Sequence, residues 1–411
     1  MTNFSYPETN ELERFVKARY GVAWIWQSVF LAVIILALLS LSALLLTVAN
    51  GAFGYVVYEF KNDPLAVSDK DLDDLVKSEL LVILQENLSR GAYRKLDKEK
   101  SMESRSDGDL YSLVIERIIQ VKTLETYSLY RSIFEKDAID AEVRDLYPEA
   151  RVEFRFWLTP TFLTAPQSSR AEFAGVRTAL LGTLWLVTIA ISFAMPVGVG
   201  AAVYLQEYAN KTSLVSKIIQ TNINNLAGVP SIVYGMLGLT IFVRTLETFT
   251  SGAMFGVTDS NGRTVLSAGL TMGILVLPLV VINAQEAIKA VPDSIRQAAF
   301  GVGATRWQTV RSHVLPNALP GILTGSILAM SRALGETAPL IVVGASTFIT
   351  IDPQSPFTKF TALPIQIYQW TSRAQGEFQA IAAAAILVLL GLLITLNATA
   401  IIIRNRLQKQ F

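Results

Sequence analysis

Long apolar runs alternate with polar segments along this chain. The first run, Val22 to about Val48, contains no charged residue, and about 20 apolar residues are enough for a helix to cross a bilayer. We weighed a cleaved signal peptide for this run, but its apolar core is too long and no small-residue cleavage site follows it. We predict six transmembrane helices, at Val22–Val48, Thr178–Leu205, Leu226–Val243, Val265–Ile282, Ala318–Val343 and Ile381–Ile403.

The segment between the first two apolar runs has a different character, with mixed charges and no run that could cross a membrane. A helix beginning at Ser68 and a second one over Asp109–Lys122 fit the spacing of apolar positions. The densely charged stretch Arg94–Gly108 reads as a loop, and the alternation over Arg151–Leu158 predicts a strand. We therefore predict a small α+β domain at residues 51–170, inserted after the first helix at 22–50.

The distribution of basic residues predicts the orientation of the chain. Lysine and arginine concentrate in the cytoplasmic loops of membrane proteins. They cluster in the segment 1–21, in the loops after the second and fourth spans, and at the C-terminus, whereas the opposite short loops are poor in them. We expect both termini in the cytoplasm, the domain 51–170 outside the membrane, and a core of five further helices at 171–411. The predicted fold is thus an all-α polytopic membrane protein carrying one small external α+β domain.

The composition excludes several classes of function. Of 411 residues, 51% are hydrophobic and 17% charged, and the net charge of +1 gives no general affinity for nucleic acid. The chain has no cysteine and one histidine, His313, which excludes thiolate and multi-histidine metal sites. We expect His313 to be an interfacial side chain without a chemical task. The absence of a G-x-x-x-x-G-K-[ST] motif means that the chain holds no P-loop for ATP.

The stretch Gln285–Gly344 combines two kinds of sequence. Up to about Pro316 it is amphiphilic and too polar for lipid, and from Ala318 it is apolar except for Arg332 and Glu336. A charge inside such a segment costs about 2.5–3.5 kcal/mol on insertion scales. Charges spaced four residues apart share one face of a helix. We interpret the stretch as a soluble docking piece joined to a membrane helix with a charged site.

The polar half of this stretch carries the pair Ala298–Ala299, then Gly303, then Leu315 and Pro316, and this pattern resembles the EAA loop of ABC importer permeases. The resemblance implies a cytoplasmic coupling helix, within about 286–316, that seats in a cleft of the ATPase subunit. Two positions depart from the pattern, because Gln297 replaces the acid and His313 replaces an isoleucine. We expect a turn at Gly303 and the end of the helix at Pro316. The matching residues are Gln297, Ala298, Ala299, Gly303, Leu315 and Pro316.

The apolar half resembles phosphate importer permeases in particular. Residues 332–337 match their RxxGET segment, residues 225–235 resemble their third span, and Gly182, Thr183 and residues 198–208 resemble the second span of the PstA-type subunit. The resemblance implies that Arg332 meets the phosphate and that Glu336 is its acidic partner. A guanidinium suits an oxyanion because it offers a planar fork of donors, and Thr337 adds a hydroxyl. A static ion pair that only stabilises the helix is the alternative.

The resemblance also implies partners. They are a second permease subunit, a dimeric ATP-binding subunit that holds ATP and Mg²⁺, and an extracytoplasmic phosphate-binding protein, while this chain itself is expected to bind no cofactor. The expected location is the bacterial inner membrane. Another oxyanion, such as sulfate or molybdate, is the alternative substrate. A membrane sensor that uses the inserted domain is a second alternative, although only eight residues follow Ile403.

Overall fold

The computed structural model describes residues 9–62, 67–68, 75–99, 101–105, 107–148, 150–210, 212–257 and 261–408. A long N-terminal helix leads directly into a small mixed domain. In chain order the regular elements of this part are α1 (Thr9–Ala52), β1 (Phe53–Phe60), α2 (Lys77–Asn87), α3 (Arg90–Glu99), α4 (Asp107–Val114, continued by a π-helical turn Ile115–Ile119), β2 (Val121–Thr126), α5 (Leu129–Phe134), α6 (Lys136–Leu146), β3 (Arg151–Phe156) and α7 (Pro160–Thr164).

The three strands form one antiparallel sheet in the order β2-β1-β3. Strand β1 pairs Val56 with Thr126 on one side and with Glu153 on the other, and its register shifts between Val57 and Tyr58. Helices α2 and α4 pack together on a separate apolar cluster that includes Leu80, Leu84, Leu110 and Ile119. The strand predicted over Arg151–Leu158 is confirmed as β3.

The helical predictions in this region need correction. The charged stretch Arg94–Gly108 is not a loop throughout, because α3 occupies Arg90–Glu99 and packs Tyr93 and Leu96 against the α2–α4 cluster. The helix predicted to reach Lys122 ends at Ile119, since Gln120 adopts a left-handed conformation with φ 56° and a strand follows. Of the helix predicted to begin at Ser68, α2 begins only at Lys77, and residues 69–74 lie outside the described part.

The second part of the chain consists of helices. They are α8 (Arg177–Val203, continued by a π-helical turn Tyr204–Tyr208), α9 (Leu214–Ala227), α10 (Ser231–Gly238, continued by a π-helical turn Leu239–Thr245), α11 (Glu247–Thr250), α12 (Val265–Lys289), α13 (Asp293–Gly301), α14 (Arg306–Thr309, continued by a π-helical turn Val310–Val314), α15 (Leu315–Gly335), α16 (Ala338–Val343), α17 (Leu363–Thr371) and α18 (Gly376–Gln408).

Within the described residues, five helices are long and apolar enough to cross a membrane, and a bent pair brings the number to six. The bent pair, Leu214–Ala227 and Ser231–Thr245, turns by 105° at its break. The prediction of one continuous helix over Leu226–Val243 is therefore wrong, because Gly228 and Pro230 end one helix and begin another. The predicted fifth span, Ala318–Val343, is also interrupted, at Glu336 and Thr337.

Helix α12 lies at the centre of the helical core, with α8 and α15 packed against it. Two thirds of its most apolar window is buried, whereas none of the corresponding window of α1 is. Glycine allows the close approach of α8: a Cβ on Gly269 would lie 2.7 Å from Ile189 Cβ, and one on Gly273 would lie 2.8 Å from Phe193 Cδ1. Small residues serve this purpose in membrane helices generally.

The mixed domain is attached to one end of the helical core. A shared apolar cluster joins Ala52 and Trp157 from the domain to Trp370 and Ile381 of α17 and α18. The amide of Gln167 accepts from Ile349 N–H and donates to Thr347 O, both at 3.0 Å. This end of the core is therefore tied to the domain both by apolar packing and by hydrogen bonds.

Candidate functional site

Arg332 lies on the exposed face of α15. The opposite face of this helix is buried and carries Ala329 and Ala333. The exposed positions Gly321, Leu328 and Arg332 recur at helical spacing, and the Arg332 side chain is 50% exposed. A charge in direct contact with lipid is costly. The exposed face around Arg332 therefore fits a water-filled path or a contact with another subunit better than it fits contact with lipid.

Glu336 sits where α15 ends. Its backbone is extended and its N–H donates to Ala333 O, so the chain breaks before α16 begins at Ala338. The carboxylate still reaches back to the arginine, with Arg332 Nε and Glu336 Oε1 3.6 Å apart. The two charges lie close together, as expected. They do not lie on one helix, in contrast to the expectation. This single, long contact leaves most of the guanidinium donors available to an anion.

The two segments that resemble phosphate permeases lie against each other. A Cβ added to Gly235 of α10 would lie 2.7 Å from Pro339 Cα of α16, so the backbones touch. Tyr234 is buried beside this contact and donates a hydrogen bond to Leu226 O at 2.7 Å, which spans the break between α9 and α10. The fold therefore brings residues 225–235 to the helix that follows Arg332, Glu336 and Thr337.

Two small cavities lie close to this site, on the buried side of α15. Each has a volume of about 20 Å³, and both have mainly apolar linings that include Ala333. Neither has room for a hydrated anion. On α15 itself, the neighbouring Ser331 donates to Asn397 Oδ1 of α18 at 2.7 Å, which fixes the helix next to Arg332. Arg332 itself is exposed on the outer surface of this chain.

The segment that resembles the EAA loop contains the short helix α13. Gly303 follows it with φ 82°, a left-handed conformation that favours glycine, so the turn predicted there is confirmed. Gln297 and Ala298 are exposed, but Ala299 is 5% exposed and packs inside its own chain. Ala299 is thus not free to line a docking contact, in contrast to the sequence-based expectation.

The helix does not end at Pro316 as predicted. Residues 306–335 form one continuous helical segment, and Leu315 and Pro316 lie within it. A π-helical turn at Val310–Val314 precedes Pro316 and includes His313. Proline lacks a backbone N–H, and an irregular turn on its N-terminal side accommodates the missing hydrogen bond. The end of the EAA-like segment and the first part of the predicted fifth span therefore lie on one continuous helical segment.

Sequence reasoning missed an exposed apolar patch beside α13. Phe300, Val302 and Trp307 are 47%, 85% and 56% exposed, and they flank the turn at Gly303. Large apolar side chains gathered on a polar surface are typical of protein contacts. The Phe-Gly-Val-Gly-Ala-Thr-Arg-Trp run could have suggested this patch, because aromatic residues flank a glycine turn there.

Sequence reasoning also missed the partner of Arg296. This side chain anchors α13 to the end of α8: Nη2 and Nε lie 2.8 and 3.1 Å from Glu207 Oε1. It also donates to the carbonyls of Val291 and Ile288 at 2.7 and 3.0 Å, and to the exposed Asp293 Oδ1 at 3.1 Å. Both side chains of the pair are largely buried, at 15% and 13% exposure. No spacing rule could reveal a pair 89 residues apart.

Comparison with known proteins defines the class. Residues 194–407 match the family described as "Binding-protein-dependent transport system inner membrane component". The chain is 31% identical over 251 residues to "Probable ABC transporter permease protein YqgI" of Bacillus subtilis, covering 58% of this chain and 81% of the relative. A bacterial alginate ABC transporter of known structure is 19% identical, with a TM-score of 0.45, and the match covers 77% of this chain and 98% of that chain.

The chain belongs to this family of inner-membrane components, and it is a transport subunit rather than an enzyme. A second relative is more specific. The chain is 34% identical over 236 residues to "Phosphate transport system permease protein PstA 1" of Mycobacterium tuberculosis, covering 57% of this chain and 72% of the relative. The resemblance to phosphate permeases of the PstA type, which residues 332–337 and 198–208 indicated, is thereby confirmed.

Proposed function

We propose that this chain is one permease subunit of an ATP-driven importer that moves inorganic phosphate into the cell. The observation that carries the proposal is the placement of Arg332. It lies on the exposed face of a membrane helix, in a segment that matches RxxGET, and a single 3.6 Å contact holds it to Glu336. The 34% identity to a phosphate permease relative supports the choice of substrate.

Arg332, together with Glu336, would act as a gate that opens when the anion arrives. In the closed path Glu336 partly neutralises the guanidinium, which keeps other anions from resting there. A phosphate oxyanion that arrives competes for the planar fork of donors, forms bidentate hydrogen bonds and displaces the carboxylate. Thr337 follows directly and supplies a hydroxyl donor at the helix break. The repulsion between Glu336 and the bound anion then favours release along the path.

The exposed position of Arg332 also implies a second permease subunit. The two cavities described beside α15 are too small for the anion, so a partner that faces α15 would complete the wall of the path. On the cytoplasmic side, Gln297, Ala298 and the exposed patch Phe300, Val302 and Trp307 would contact an ATP-binding subunit. That subunit would hold ATP and Mg²⁺, and this chain none. An extracytoplasmic phosphate-binding protein would deliver the anion to the opposite side.

The test is phosphate uptake in membranes that hold equal amounts of the assembled complex. Arg332→Gln should abolish uptake while assembly persists, because it removes the donors and leaves Glu336 to repel the anion. Arg332→Lys keeps the charge but loses the planar fork, so it should be impaired and not silent. Arg244→Gln is a matched control, since Arg244 is also exposed but lies at the end of another helix.

Competition identifies the substrate. Excess sulfate or molybdate should leave labelled phosphate uptake unchanged if phosphate is the substrate, and should suppress it if the path serves another oxyanion. Normal uptake by Arg332→Gln would overturn the assignment of this residue to the path. Loss of assembly in that variant would instead support the static ion pair.

A further inference from the structure

A second arginine-lined site lies between the mixed domain and the helical core. A cleft of about 850 Å³ opens there, far larger than the cavities beside α15. Its lining comes from α4 and its π-helical turn, from strand β3, from the segment 159–174 and from Phe348 and Thr350 in the loop after α16. The cleft therefore joins parts of the chain that only the tertiary structure brings together.

Positive charges outnumber negative ones among the described residues that line the cleft. These residues include four arginines, Arg105, Arg117, Arg155 and Arg170, and one acidic residue, Glu172. Arg170 Nε and Glu172 Oε2 are 4.0 Å apart, at the limit of an ion pair. Arginines held close together in a concave site raise the local potential and concentrate anions.

Arg155 has one donor that the described part of the chain does not satisfy. Its guanidinium stacks 5.3 Å from the ring centroid of Trp157, and Nη2 lies 3.8 Å from Glu153 Oε2. Its Nη1 is buried and has no hydrogen-bond acceptor within the part of the chain that the structure describes. A buried donor without an acceptor is unfavourable, and a small rotation of the side chain toward the cleft would allow an anion to supply one.

Hydroxyl groups complete a set of donors that suits an oxyanion. Thr161, Ser168 and Ser169 line the same cleft. Arginine forks bind tetrahedral oxyanions bidentately, and hydroxyl groups add directed donors. The same lining also includes Gln167, whose amide holds Thr347 and Ile349 in the loop after α16. The cleft is thus in contact with the loop that continues the Arg332–Thr337 segment.

We propose that this cleft binds an inorganic oxyanion of the phosphate class on the extracytoplasmic side, before the anion reaches Arg332. The proposal rests on the phosphate import proposed above, which supplies both the substrate and the orientation. The cleft would hold phosphate close to the outer end of the path and raise its concentration there. It would also give the inserted domain a role in import.

The experiment uses a reporter inside the cleft of the assembled complex. The chain has no native cysteine, so Ser169→Cys, at an exposed cleft position, accepts one environment-sensitive fluorophore. The labelled complex, purified without binding protein, is titrated with phosphate at constant ionic strength, and with chloride as a control. We expect a saturable signal with phosphate and none with chloride.

Variants of the lining make the test specific. Arg117 is exposed, so Arg117→Gln should fold normally and weaken phosphate binding about tenfold, the loss expected for one charge-assisted hydrogen bond. Glu172→Gln removes the acidic group and should tighten binding. Arg94→Gln is the matched control, because Arg94 is an exposed arginine of the same domain outside the cleft and should change nothing.

The outcomes separate this inference from the proposed function. A signal that persists in Arg332→Gln but weakens in Arg117→Gln supports a separate cleft site. Normal phosphate uptake with no phosphate signal at the cleft would overturn the inference and leave the proposed function standing. An equal response to chloride, or a response only to added binding protein, would also overturn it. A cleft signal in a complex that imports no phosphate would instead count against the proposed function.

Discussion

Two arginine–glutamate pairs in the helical core differ in their burial and in the number of their contacts. Arg296 and Glu207 are largely buried, and all three guanidinium nitrogens of Arg296 bind oxygens of the protein. Arg332 is half exposed and touches Glu336 once, at 3.6 Å. The first pair joins α13 to the end of α8, and the second lies at a break between α15 and α16. A saturated buried pair can only hold elements together, whereas an open pair can exchange its partner for an anion.

The comparison also suggests how motion would pass between the two regions. The helical segment 306–335 begins next to α13 and ends at Arg332 and its neighbours. A displacement of α13 by a bound partner would therefore be transmitted along one helix toward the gate. The turn at Gly303 precedes this segment, and Gly235 packs against Pro339 just beyond its other end.

We expect the largest difference in phosphate uptake between the two pairs when both charges of a pair are replaced by neutral side chains. Arg332→Gln with Glu336→Gln should leave phosphate uptake abolished, because the anion-binding fork is gone. Arg296→Gln with Glu207→Gln should retain substantial uptake, because two neutral amides replace the two buried charges and only the exposed Asp293 loses a charged partner. Uptake is compared at equal amounts of assembled complex. Recovery of transport in the first double variant would mean that both pairs are structural.

The next largest effect should come from neutralising only one residue of the buried pair. Arg296→Gln leaves Glu207 buried without its counter-charge, and such changes cost about 3–5 kcal/mol in proteins. We expect a large loss of assembled complex, measured by co-purification of the ATP-binding subunit and by thermal unfolding in detergent. Arg131→Gln is the matched control, because its pairs with Glu135 and Glu142 are exposed and worth about 0–1 kcal/mol. Equal losses in both variants would contradict the comparison.

A smaller effect is expected from a change at the contact between α10 and α16, behind the open pair Arg332–Glu336. In Gly235→Ala the added Cβ would meet Pro339 Cα at 2.7 Å, so α10 and α16 must move apart. Overpacking of this kind costs about 1–3 kcal/mol. We expect reduced uptake with little loss of assembly, since the displaced segment carries Thr337. Gly200→Ala, at an open position of α8, should have no effect, and a similar defect there would argue against a specific role for the contact.

The smallest effect should come from the turn beside the buried pair. Gly303→Ala places a side chain at φ 82°, which costs about 1–2 kcal/mol. No atom crowds the new Cβ, so the loss comes from the backbone alone. Gly301→Ala is the matched control: it lies in helix α13 with open space around it, and it should be neutral or stabilise by about 0.5–1 kcal/mol. Thermal unfolding of both variants measures the difference. Equal values would exclude a requirement for glycine at 303.

Several features of the fold followed from local pattern. The first span and the helices over Val265–Ile282 and Ile381–Ile403 were predicted because charge-free apolar runs leave few alternatives in a membrane. The strand Arg151–Phe156 followed from alternation, and the turn at Gly303 from its place in the EAA-like loop. Arg332 and Glu336 were found because charges are conspicuous in apolar sequence. Each of these signals lies within one segment of chain.

Other features depended on contacts that no local pattern records. The break at Gly228–Pro230 became a 105° bend, although a proline in an apolar run is equally compatible with a kinked continuous span. Pro316 was expected to end a helix but lies inside one, because a π-helical turn absorbs its missing hydrogen bond. Ala299 looked available for docking, yet packing against its own chain buries it.

The sequence by itself determined the membrane class, the family resemblance and the identity of the charged residues in the fifth span. Hydrophobic run length, turn residues and isolated charges act over a few residues, so they can be read directly. Only the tertiary structure decided which charges are paired and how exposed they are. Arg296 contacts Glu207, and Arg155 lines the cleft, because distant segments fold against each other. Burial and pairing are properties of those long-range contacts, and they distinguish an anchoring arginine from one that can receive an anion.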